Sequence, residues 1–241
     1  TRCGGPAMMS PTPAAADAAD APGTLAIDLA GERVVCLAER ALWWPAARTL
    51  FVADVHLGKA ASFRAAGVPL PAGHSARDLL RLRALVTAHS AASLVILGDL
   101  VHNAASYTAS LTQAFLSFRQ SCPGLAVTLV RGNHDRHAGA PPPVWAVHVV
   151  GDGHALGPFD CWHEPTPRTM DTRVQLAGHL HPAVRVQTAR DSITLPCFWR
   201  HRTGMVLPSF GSFTGSATVQ LGRGESAIAI AGRTLHHLQA V

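Results

Sequence analysis

Ser93-Leu94-Val95-Ile96-Leu97-Gly98-Asp99 is an apolar run that ends on a glycine and a carboxylate. A short uninterrupted apolar stretch with β-branched residues predicts a strand buried on both faces. The same pattern recurs on either side. Thr49 to Ala53 gives way to Asp54-Val55-His56-Leu57-Gly58, and Leu125 to Val130 gives way to Arg131-Gly132-Asn133-His134-Asp135. Between these runs, Ser75 precedes Leu79, Leu82 and Val86. A capping residue followed by apolar side chains at helical spacing predicts a helix from Ser75 to His89. Ala104 to Gln120, with Leu111, Phe115 and Phe118 on one side, predicts a second helix.

Outside this block, Arg33 to Cys36 predicts a strand. After Asp135 the helical period fades, and short strands are expected at Val144–Val150, Phe159–His163, Val174–Ala177, Val184–Gln187, Ile193–Phe198, Met205–Leu207 and Ala227–Ile230. An alternating first half and a strand-rich second half predict an α/β sandwich with mixed sheets. Residues 1–23 are Gly-, Pro-, Ala- and Asp-rich, too poor in large apolar groups to offset the entropy of ordering. A disordered tail at 1–23 and one domain over 24–241 are expected.

Composition narrows the function. The chain is 48% hydrophobic and 15% charged, enough for a sizeable core. No apolar stretch approaches the roughly eighteen residues of a spanning helix, so no membrane partner is expected. The first residues lack the apolar centre of a secretory signal, and five scattered cysteines without a Cys-x-x-Cys pair argue against a disulfide framework. A cytoplasmic location is expected. Of the twenty basic residues behind the net charge of +5, nineteen are Arg, and Lys59 is the only lysine.

In open α/β sheets, ligands collect beyond the carboxyl ends of strands. Asp54, His56, Asp99, Asn133 and His134 are therefore predicted to converge, joined by two later turns, Cys161-Trp162-His163 and Gly178-His179-Leu180-His181. Mixed carboxylate and imidazole ligands without thiolate suit Mn²⁺ or Fe and tolerate Zn²⁺. Two such ions about 3.5–4 Å apart clamp a phosphoester's oxygens and lower the pKa of a water, with one carboxylate able to bridge them. His163 lacks a dedicated motif, and His148 and His154 are its rivals. Gly98, Gly132 and Gly178 are expected to provide the tight turns after each strand.

These blocks resemble the calcineurin-like metallophosphoesterase superfamily, through Asp54-Val55-His56, Gly98-Asp99, Gly132-Asn133-His134-Asp135, His163 and Gly178-His179-Leu180-His181. The resemblance implies a sandwich of two mixed β-sheets flanked by helices, with the metal site at the carboxyl ends of the strands. It implies that Asp54, His56, Asp99 and His181 hold one ion and Asp99, Asn133, His163 and His179 the other. It gives His134 the catalytic role of contacting the phosphate and protonating the leaving oxygen, with Asp135 holding the other ring nitrogen of His134.

The longer stretch Asp54 to Arg64, Gly98-Asp99-Leu100-Val101-His102, Gly178 to Pro182, Leu195 to Trp199 and Leu207 to Gly215 is similar to the bacterial ligase-associated DNA-damage-response endonucleases. That branch implies a manganese-dependent phosphodiesterase nicking single-stranded DNA, working with a DNA ligase and a helicase in repair. His102, in place of the acidic residue common in the superfamily, fits this branch rather than a lipid-sugar pyrophosphatase. A phosphomonoesterase or nucleotide phosphatase is the alternative on the same scaffold. A binding module without activity would need ligands missing, and none is. Lys59, Arg64, His102, Asn103 and Arg136 are expected substrate contacts, and Phe198, Trp199, Phe210 and Phe213 are candidates for stacking on unpaired bases.

Overall fold

The computed structural model describes residues 21–65, 67–71, 73–167, 173–187 and 191–240. Residues 1–20, most of the tail expected at 1–23, lie outside the described residues. A first sheet runs in chain order through β1 (Thr24–Leu29), β2 (Glu32–Leu37), β3 (Ala41–Trp44), β4 (Thr49–Val52), β5 (Ser93–Leu97), β6 (Ala126–Val130) and β7 (Val147–Val150). β1 to β4 form an antiparallel meander. β4 to β7 are parallel, with β4 and β5 joined through α1 (Lys59–Ala65) and α2 (His74–Ala88), and β5 and β6 through α3 (Ala109–Ser121).

The second sheet is also mixed. It contains β8 (His154–Leu156), β9 (Phe159–Cys161), β10 (Val174–Ala177), β11 (Pro182–Gln187), β12 (Ser192–His201), β13 (Gly204–Val206), β14 (Ala217–Thr218), β15 (Ser226–Ala231) and β16 (Thr234–Gln239). β9, β10 and β13 are mutually parallel, while β12 runs against β11, β13 and β15.

Side-chain parity sets the layers, because successive residues of a strand face opposite ways. Leu50 and Val52 of β4, Leu94 and Ile96 of β5, and Val127 and Leu129 of β6 pack against α2 and α3 through Leu79, Leu82, Phe115 and Phe118. The alternate residues Phe51, Val95, Leu97 and Val130 face the second sheet, where they meet Phe159, Leu176, Phe198, Met205 and Ile228. The central strands are thus apolar on both faces. The outer face of the second sheet carries a smaller cluster around Val184, Cys197, Ala227 and Ala229.

Local structure departs from expectation at several points. Ser75 does not cap α2. Gly73 precedes that helix in a left-handed conformation, and Ser75 Oγ instead accepts the Gly58 N–H at 2.9 Å, tying the helix start to the loop after β4. The helix expected at 104–120 is broken. A 3₁₀ turn spans Ala104–Ser106, and Thr108 then caps α3 by accepting the Leu111 N–H at 3.1 Å. The expected strand 144–150 opens with a 3₁₀ turn, Pro143–Trp145, which buries Trp145 flat on Phe115 with ring centroids 4.1 Å apart. Asn133 begins a short helix, α4 (Asn133–Ala138), rather than an open turn.

Candidate metal centre

Parallel strands from both sheets end on one edge. Asp54 and His56 follow β4, Asp99 follows β5, Asn133 and His134 follow β6, His163 follows β9, and His179 and His181 follow β10. The two edges are stitched together. Ala53, just past β4, bridges Ser209, just past β13, and the Phe210 N–H donates to the Ala53 carbonyl at 2.8 Å. Of ten non-glycine residues with positive φ among the described residues, five are Asp54, His56, Asp99, His179 and His181. Such backbone costs free energy and persists only where surroundings over-determine it, so strain is concentrated on this edge.

Two ligand groups lie side by side. Asp54, His56 and His181 form one, and Asp99, His163 and His179 the other, each with donor atoms within 4.8 Å of one another. Asn133 joins the second group, its Oδ1 2.8 Å from His163 Nε2. Backbone carbonyls orient the rings. His163 Nδ1 donates to Leu97 O at 3.1 Å, and His181 Nδ1 donates to Gly215 O at 3.1 Å. Because a carbonyl only accepts, each Nε2 then presents a lone pair in the neutral ring. The His163 Nε2 lone pair faces Asp99 Oδ2 at 3.5 Å and Asn133 Oδ1, while that of His181 faces Asp54 Oδ1 at 3.5 Å. Asp54 Oδ1 is buried and accepts no hydrogen bond among the described residues.

His179 Nδ1 lies 3.0 Å from His163 Nε2, and acceptors this close repel unless a proton or a cation stands between them. These residues therefore fit two divalent ions. Burial, the main cause, holds the His56 pKa down at about 2, so its ring stays in the neutral form a metal requires. Burial likewise pushes the Asp99 carboxyl up, a cost that a nearby cation would offset. The His181 pKa is drawn down by burial but raised on balance by the Asp54 carboxylate 3.5 Å from its Nε2, a negative group that favours a positive charge at this point.

A model of the family described as calcineurin-like phosphoesterase matches residues 47–169. The chain belongs to this family. It is a metal-dependent phosphoesterase, and its fold is the metallophosphoesterase sandwich. A crystal structure of Pseudomonas putida nuclease MPE is 36% identical, covers 89% of this chain and 100% of its own, and superposes with a TM-score of 0.77. Yfce, a phosphoesterase from E. coli, is 14% identical over 79% of this chain and 97% of its own, with a TM-score of 0.40. No curated protein matches the chain.

In this calcineurin-like phosphoesterase, His134 stands beside the ligands. Its ring centroid is 4.9 Å from that of His56, and its Nδ1 is 2.7 Å from the His102 carbonyl. Asp135 does not hold His134, contrary to expectation. The Asp135 carboxylate is buried and accepts three backbone N–H groups, from Asp99 at 2.8 Å, Gly132 at 2.9 Å and Val101 at 3.3 Å. It fixes the loops that carry Asp99 and Asn133. The first turn of a helix always has unpaired N–H groups, but that this carboxylate serves a neighbouring loop as well depends on the fold.

The glycine expectation also changes. Only Gly98 of the three has a positive φ, 82°. Gly132 and Gly178 serve close approach instead. A Cβ on Gly132 would run into the Asp99 carboxylate, and one on Gly178 would lie 2.8 Å from Asp54 Oδ2.

The proposed substrate contacts divide. Lys59 starts α1 and feels the charges of both Asp99 and Asp54, and burial lowers its pKa. His102 stacks on His134 with ring centroids 4.9 Å apart. Arg136 is half exposed, with Nη1 3.9 Å from Asp152 Oδ2, and Asp152 Oδ1 accepts the His163 N–H at 2.7 Å. Arg64 is exposed on α1 and donates to Pro71 O at 3.1 Å. Asn103 turns inward, its Oδ1 accepting from Ser62 Oγ at 3.3 Å and Ser106 Oγ at 3.1 Å, which leaves that oxygen unavailable to a substrate.

His163 is fully buried within the ligand group, whereas its rivals His148 and His154 sit on β7 and β8. Phe198 and Phe210 are fully buried and cannot stack on a base, and Trp199 is half-buried with Nε1 donating to Glu225 at 3.1 Å. Sequence reasoning missed Asp152 and the orienting carbonyls of Leu97, His102 and Gly215. A backbone carbonyl carries no residue signature.

Proposed function

We propose that this phosphoesterase is a phosphodiesterase that cuts single-stranded DNA, and that it does so in DNA repair with a ligase and a helicase. The observation that carries the hydrolytic part is the pairing of the two ligand groups with His134 at their side. The similarity to a nuclease over nearly the whole chain supports a nucleic-acid phosphodiester as substrate. Asp54, His56, Asp99 and His181 would hold one divalent ion and Asp99, Asn133, His163 and His179 the other. Manganese is our choice of ion, with Fe or Zn as alternatives compatible with the same donors. Such ions, when bound, polarise a phosphate oxygen and ease deprotonation of a water at neutral pH.

The chain's own residues supply the rest. His134 Nδ1 carries a proton held by the His102 carbonyl, which leaves Nε2 to face the phosphate. Protonated at Nε2, it donates to the leaving oxygen, and the ring is then neutral and ready to be reprotonated. Lys59 and Arg136 place positive charge around the anionic substrate. The five cysteines are odd in number and scattered in the sequence, without a Cys-x-x-Cys pair, which supports a reducing cytoplasm. Among the described residues no helix is long and apolar enough to cross a membrane.

The test uses purified protein with Mn²⁺, circular single-stranded DNA, an aryl phosphodiester and an aryl phosphomonoester. Nicked circles and a faster diester rate are expected. His134→Ala should lower diester cleavage by about 10²–10⁴-fold while metal content is retained. A strong monoester preference would favour the phosphatase alternative.

A further inference from the structure

An unbroken series of rings leads outward from His134. His102 stacks on it, tilted by 27°. Phe63 of α1 lies next, 6.2 Å from His102 between centroids, and Phe213 meets Phe63 edge-on at 5.6 Å. His74, at the start of α2, closes the row 5.5 Å from Phe213. The rings come from separate segments, so helical periodicity does not explain their meeting. Phe63 is 38% exposed and is the only aromatic among the large apolar side chains left exposed in the described residues. Its neighbours on the helix are Lys59, one turn back, and Arg64, and the helix Lys59–Ala65 has no acidic residue.

We infer that Phe63 and Phe213 form a shelf on which an unpaired nucleobase stacks when the adjoining phosphate sits beside His134. The occupant follows from the chemistry. An exposed aromatic face suits a flat π-system, flanking cations suit a polyanion, and continuity with His102 and His134 puts both next to the reacting phosphate. Every base has such a face, so the shelf reads no sequence. A paired base already has its faces covered by its neighbours in the duplex, so the shelf favours single strands. Phe213 alone of the four aromatics considered from the sequence takes part, and Phe63 joins it.

The inference rests on the nuclease reading, and one set of substrates separates the two. Wild type, Phe63→Ala and Phe63→Trp are compared on an oligothymidylate and on an equally long strand of abasic residues. Wild type should prefer the base-bearing strand, measured as the ratio of kcat/KM values. That ratio should fall about tenfold or more in Phe63→Ala, as expected for loss of one stacking partner, and Phe63→Trp should keep it. An unchanged ratio in Phe63→Ala, or its loss in Phe63→Trp, overturns the shelf while leaving the nuclease intact. A wild type that hydrolyses an aryl diester but leaves both strands whole overturns the nuclease reading, and the shelf with it.

Discussion

Exchanging Asp135 for Asn changes one oxygen to an amide nitrogen and almost nothing in volume, yet it reverses the polarity of one of three buried contacts. Oδ2 of Asp135 accepts the Asp99 and Gly132 N–H groups, and Oδ1 accepts that of Val101. The least costly orientation for Asn keeps its oxygen on the first two and turns its NH₂ toward the Val101 N–H. Two hydrogen bonds then lose the assistance of a charge, about 1 kcal/mol each, and one buried N–H loses its partner, about 1–3 kcal/mol. The neutral amide recovers part of this, because burial already pushes the Asp135 carboxyl up.

A net loss of about 2 kcal/mol is expected, which lowers the Tm of a chain this size by about 4–8 °C. The loops bearing Asp99 and Asn133 should loosen with it, so bound metal should fall in parallel. The assay is thermal unfolding with and without Mn²⁺, together with metal content by elemental analysis. Asp135→Asn protein with wild-type Tm and full metal content but lost diester cleavage would refute the reasoning and return Asp135 to the role of orienting His134.

Two further outcomes follow from geometry and titration. Gly132→Ala should drive a methyl into the Asp99 carboxylate and weaken metal binding by an overpacking cost of about 1–3 kcal/mol, or roughly 5- to 150-fold. Metal titration by calorimetry checks it, and unchanged affinity would count against the close-approach role. His201, at the end of β12, has its pKa lowered chiefly by burial, against the opposing charge of Glu225. As pH falls below the ordinary imidazole value of about 6.5, the unfolded chain takes up the proton first, so wild type loses stability relative to His201→Gln until the depressed folded value is passed. Urea midpoints of the two metal-free proteins at about pH 7.5 and about pH 5.5 measure this, and a pH-independent difference would show that the ring titrates normally.

The sequence by itself determined the strands that end in the site and the residues that stand there. β4, β5 and β6 are legible because a strand apolar on both faces must be covered on both, so its composition announces it. Asp and Asn are ordinary turn residues, so each turn alone says little; the turns are legible as a site because such groups recur in order after one apolar strand after another. The tertiary structure alone decided which partners these groups take. Asp135 lies one residue from His134 in sequence, yet its carboxylate reaches the loops of Asp99 and Val101, because α4 turns it inward. The carbonyls that fix His134, His163 and His181 have no residue-specific signal, since every residue carries one. Phe63 has no signal of its own in the sequence, and only its meeting with Phe213, from a segment 150 residues on, sets it beside the reacting groups. Local pattern records what a side chain is; packing between distant segments decides what it faces.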